Sequence, residues 1–194
     1  MSTQDARDKR GSDHPDPERL KQHLSDSSRA LADLTASMVY DNPGLLKLLV
    51  EISILEKDPW SHRASRIVSI CCCQFPELFK PYSAQVIRNL KDIPSEGARR
   101  NYLKIFAEIP VRLNRRDKSV LVNLCFDYLT GDAAIAVQVY SMEILYNLSR
   151  EMPEIGIELS SIIEDKLPGA SAGYKSRSVK ILRKLQHDNF KVDI

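Results

Sequence analysis

The sequence predicts an all-α chain in which helical hairpins stack in single file, an α-α superhelix of about nine helices. Three observations carry that expectation. Apolar residues recur at helical spacing rather than in alternation, as Leu45, Leu48, Leu49 and Ile52 show, or Leu121, Leu124, Cys125 and Tyr128. Prolines punctuate the chain: Pro43, Pro59, Pro76, Pro94 and Pro110 fall every 16 to 18 residues, and Pro153 and Pro168 resume after a gap that Gly131 divides. Proline fits the first turn of a helix and breaks its interior, so each interval holds one helix of about three to four turns. Two registers also share one period. Ile70, Ile105, Ile144 and Ile181 are separated by 35, 39 and 37 residues, and Leu90, Leu129 and Leu167 by 39 and 38. A shared period of that length is expected when each helix pair buries its apolar face only by stacking on the next.

Taken in order, residues 1–26 mix both charge signs with Ser, Pro and His and offer only Leu20 and Leu24 as apolar anchors, which reads as a flexible polar leader with one weak turn after Pro17. A leading helix follows. Asn42-Pro43 and Asp58-Pro59 then cap the helices carrying Leu45 to Ile52 and Ala64, Ile67, Val68 and Cys71. Ser95 caps Ala98, Tyr102, Ile105 and Ile109. Asp132 opens a helix to Arg150 that is apolar on several sides (Val137, Tyr140, Met142, Leu145), as for an element covered by neighbours all round. Pro153 precedes Ile155, Leu159, Ile162 and Ile163, and Ser171 precedes Tyr174, Ser178, Ile181 and Leu185. The repeat body is expected over residues 27–187, with residues 188–194 as a tail.

Composition narrows the function classes. The 194 residues carry 28 Lys+Arg against 26 Asp+Glu, so a net charge of +2 argues against a strongly basic polyanion binder. Seven glycines are too few for a turn-dense β architecture or a Gly-rich phosphate loop. No apolar run reaches the ~20 residues of a bilayer-spanning helix, and the amino terminus lacks the apolar core of a secretory signal. The expectation is a soluble, cytoplasmic monomer with reduced cysteines.

Catalytic and metal chemistry find little footing. Cys71-Cys72-Cys73 diverge by ~100° per residue on a helix, so three adjacent thiolates cannot converge on one tetrahedral metal. They read, with Cys125, as small core side chains. His14, His23, His62 and His187 form no spaced metal set, and neither a Gly-x-Ser-x-Gly elbow nor a Walker-type loop occurs. Glu143, Glu151, Glu154 and Glu158 sit at the spacing of solvated helix faces. No cofactor, metal or catalytic residue is expected. The basic residues Arg63, Arg66, Arg99, Arg100, Lys175 and Arg177, with the lone Trp60 as an aromatic anchor, are the candidate partner-binding set.

Several of these stretches resemble the HEAT repeat. Asp58-Pro59-Trp60-Ser61-His62-Arg63-Ala64, Ser95-Glu96-Gly97-Ala98-Arg99-Arg100 and Ser171-Ala172-Gly173-Tyr174-Lys175 are similar to the start of its second helix, and Phe75-Pro76-Glu77-Leu78-Phe79-Lys80-Pro81-Tyr82 to its proline-kinked first helix. The basic residue is missing at Ala136-Val137-Gln138. The likeness spans residues 27–187 and implies a HEAT or armadillo-like solenoid of small bacterial type. It also implies a non-enzymatic scaffold or adaptor, whose second helices line a concave face that binds a protein partner. The same architecture is similar to the alkylpurine DNA glycosylases, which implies a DNA-associated alternative. In HEAT repeats the basic residue at this position also braces adjacent repeats, so the arginines have two readings, ligand contact and bracing.

Overall fold

A computed structural model of the chain describes residues 17–189. Most of the expected leader (1–16, including His14) and most of the tail (190–194, including Phe190) lie outside the described residues. In chain order the α-helices are α1 Pro17–His23, α2 Arg29–Asp41, α3 Gly44–Leu55, α4 Trp60–Gln74, α5 Ser83–Asn89, α6 Glu96–Glu108, α7 Arg115–Thr130, α8 Ile135–Ser149, α9 Pro153–Lys166 and α10 Ala172–Asn189. A 3-10 turn over Pro76–Leu78 precedes α5, and no strand occurs among the described residues.

Four helix starts carry a side-chain cap, whereas α3, α4, α5, α8 and α9 begin without one at the N-cap residue. Ser28 Oγ accepts from Leu31 N–H, Ser95 Oγ from Ala98 N–H and Ser171 Oγ from Tyr174 N–H. Asn114 does the same for Asp117 at the head of α7, a cap that proline spacing does not reveal. Asp132 is not a cap. The α8 helix begins at Ile135, and the free amide of Ala134 instead donates to Glu96 Oε1 of the preceding repeat at 3.0 Å.

The helices form two layers. Contacts run from α2 through α4, α6 and α8 to α10, and from α5 through α7 to α9. Cross-layer pairs such as α3 with α4 and α7 with α8 join them. α8 packs against α6, α7, α9 and α10, which explains its many-sided apolar surface. Along the second-helix register Ile105, Ile144 and Ile181 are buried, and Leu90 and Leu129 are buried in the other register. Polar contacts repeat with the same period. Asn101 donates to Ser65 Oγ 36 residues back, Tyr128 OH to Leu90 O 38 back, and Asn147 to Ala107 O 40 back. These contacts each span about one repeat length and join successive repeats, the arrangement of a solenoid.

One element adds to the expected count of about nine helices. α1 lies within the stretch read as leader, where Leu20 and Leu24 are 2% and 1% exposed. A helix of seven residues has too little intrinsic stability to stand in water, so its order comes from docking.

Candidate functional site

The basic residues singled out in the sequence meet different fates. Arg63 sits in the first turn of α4 and donates through Nη1 to Leu24 O at 2.8 Å and Ser25 O at 2.6 Å. Arg66, one turn on, donates to Ser27 O at 2.7 Å. Both therefore tie α4 to the α1–α2 connection, and they brace through backbone carbonyls rather than acidic side chains. Arg99 lies beside the Tyr128 phenol, with Nε buried and without a hydrogen-bond partner among the described residues. Arg177 pairs with Glu143 at 2.7 Å, and Lys184 reaches the other oxygen of the same carboxylate at 2.6 Å. Lys175 is exposed, its ammonium 3.4 Å from Pro168 O. Trp60 is half-buried against the core at the head of α4.

Arg66 and Arg100 are the two that come together. They line a depression of about 350 Å³ along the second-helix layer, between α2, α4, α6 and α8. Arg29 and Lys104 complete a cationic wall; Ser69 and Asn101 give a polar floor, and Ile70, Ala136 and Tyr140 an apolar side. No carboxylate lines it. Its cations are not equally available. Arg29 is clamped by both oxygens of Asp33 at 2.8 Å, and Lys104 stands 3.8 Å from Glu108. Arg66 and Arg100 have no carboxylate within ion-pair distance among the described residues; Arg100 contacts only the amide oxygen of Asn101, at 3.1 Å.

His62 marks the edge of this charged region. Its ring covers Gly97 so closely that a methyl group there would sit 2.8 Å from the ring. Burial, then the nearby Arg100 guanidinium, and more weakly Arg66 and Arg63, hold its pKa below the ordinary value, with Asp58 opposing.

Other features offer less chemistry. Cys71, Cys72 and Cys125 are buried free thiols, and burial pushes Cys71 up to about 11 and Cys125 to about 12. They are thiols rather than thiolates at neutral pH. Among the described residues no three His, Cys, Asp or Glu side chains are placed to hold a metal ion. A larger cleft of about 730 Å³ runs along the α6–α7 connection and mixes both charge signs, with Arg112, Lys118 and Arg150 against Glu108 and Glu151, and Lys118 pairs with Glu151 at 2.5 Å. No described helix is long and apolar enough to cross a membrane.

Sequence reasoning finds Arg66 and Arg100 through their equivalent positions in successive repeats. Lys104 was missed although it lies one turn beyond Arg100 on the same face. Arg29 and Tyr140 carry no local signal, because the fold alone brings α2 and α8 to the depression.

A family match accords with the architecture: the description "HEAT repeat domain" fits residues 18–185. No curated protein and no solved structure matches the chain. HEAT repeats generally mediate protein–protein scaffolding and are typically non-enzymatic. With its paired helices, its two-layer stacking and a match over most of its length, the chain belongs to the HEAT-repeat family.

Proposed function

We propose that the protein is a non-enzymatic scaffold or adaptor that holds a protein partner against the concave, second-helix face of its HEAT array. The observation that carries this reading is the depression between α2, α4, α6 and α8, where Arg66 and Arg100 have no carboxylate to neutralise them among the described residues. Among the described residues Arg100 makes no polar contact beyond its neighbour Asn101 and adds nothing to the seams between repeats, and Arg66 spends only Nη1 on Ser27 O, whereas Arg63 and Arg177 are committed to their partners. Of the candidate set, Arg66 and Arg100 are therefore the ligand contacts. Arg63, Arg99 and Arg177 hold the face in shape, and Lys175 and Trp60 are peripheral to it.

Affinity purification from the native host, comparing the unaltered chain with Arg100→Glu and Lys104→Glu, tests the reading. The scaffold role requires that a protein partner co-purify and be released by these substitutions while thermal melting is unchanged. A partner retained equally by both variants would refute it.

A further inference from the structure

Resting on the scaffold reading, we infer that the segment of the partner seated in this depression is acidic, presenting a carboxylate to Arg66, Arg100 and Lys104 with an apolar residue beside it against Tyr140. Charge complementarity selects the occupant. The wall is cationic, no acid lines it, and Arg100 spends only one guanidinium nitrogen on Asn101, which leaves its remaining donors for a carboxylate. Lys104 keeps a loose 3.8 Å contact with Glu108 that a closer anion would displace.

The wall also ends in a definite way. On α8 the position that continues the basic series is Ala136, and Tyr140 one turn later is half-buried, so the next group along the layer is apolar. On α10 the basic series resumes with the exposed Lys175 and with Arg177, which shares the Glu143 carboxylate with Lys184 and lies outside the depression. A peptide that alternates acidic and apolar side chains matches such a surface. A nucleic-acid backbone, with a charge on every nucleotide, does not, because about three cations over two repeats neutralise too few phosphates to form a track.

The test titrates the full-length chain at low ionic strength with fluorescein-labelled probes read by anisotropy. The probes are a glutamate-rich peptide of about eight residues with a central leucine, its glutamine analogue, and an oligothymidylate of matched length. The peptide is expected to bind, the glutamine analogue about tenfold or more weakly, and Arg100→Glu and Lys104→Glu each to lose about tenfold. Arg183→Glu, on the exposed side of α10, is expected to leave binding unchanged. Arg100→Gln removes the charge without reversing it and guards against a folding defect; its expected loss is smaller but measurable.

Equal binding of the glutamine analogue would overturn the inference, as would indifference to Arg100 and Lys104. Tighter binding of the oligothymidylate with the same sensitivity would assign the face to nucleic acid instead. If the peptide fails to bind while Arg100→Glu still releases the co-purified partner, the acidic occupant is wrong and the scaffold stands. If the partner stays bound to the variants, both fall together.

Discussion

Removing the Arg63 side chain should undock α1 and leave the rest of the array folded. Arg63 Nη1 bridges Leu24 O at 2.8 Å and Ser25 O at 2.6 Å, closing the turn that presents Leu20 and Leu24 to the core. A hydrogen bond from a charged donor contributes about 1.5–3 kcal/mol. Ser25 is exposed and its carbonyl regains water when the guanidinium leaves, so the net loss for Arg63→Ala is about 2 kcal/mol, or roughly 30-fold in the docking equilibrium. That is comparable with burying one leucine, about 2 kcal/mol, and so a large share of what holds a seven-residue helix in place. Terminal units of a stacked array open independently of its middle. Hydrogen-exchange mass spectrometry should therefore show amide protection falling about 30-fold over residues 17–27 and staying unchanged in α6 and α8. Arg63→Lys, which keeps the charge but has a shorter side chain than the one that brings Nη1 to both carbonyls, should fall between. Unaltered protection over 17–27 would refute the brace, and equal loss in α8 would refute the independence of the terminal unit.

Three further outcomes follow from the same contacts. Gly97→Ala should destabilise by about 1–3 kcal/mol despite the usual helix gain, because the new methyl group would lie 2.8 Å from the His62 ring; a thermal melt checks this, and the cost should shrink in a His62→Ala background. His62 is held below its unfolded value of 6.5, so the unfolded chain binds the proton first: its contribution to stability is complete above about pH 6.5 and is lost as the pH falls through the folded value. Melting temperatures at pH 7.5 and 5.5 should show that drop, and His62→Gln should lessen it. Glu143→Gln should cost about 1–2 kcal/mol by weakening the pairs to Arg177 and Lys184, and in a double-mutant cycle Arg177→Gln should then cost less than it does alone.

The fold was legible because its stabilisation is local in sequence terms. Each repeat announces itself by apolar spacing, a proline or a cap, and neighbouring repeats supply the same pattern about 37 residues on. What escaped was decided by contacts that no local window contains. The α8 start moved from Asp132 to Ile135 because Glu96, 38 residues earlier, satisfies the Ala134 amide. The α1 helix formed within the expected leader because Arg63 and Arg66 on α4 bind the carbonyls that follow it. The site was half legible for the same reason. Equivalence between repeats points to Arg66 and Arg100, but it cannot separate them from Arg177, whose neutralising Glu143 lies 34 residues away. Nor can it show that Tyr140 closes the apolar side.

Site-specific photo-crosslinking in the native host measures directly which face of the array receives the partner. A benzophenone side chain at Tyr140, on the second-helix face, should give a covalent adduct with a protein partner that an excess of glutamate-rich peptide suppresses. The same group at Ile157, 71% exposed on α9 in the other layer, should give none. Adducts from Ile157 alone would contradict the account.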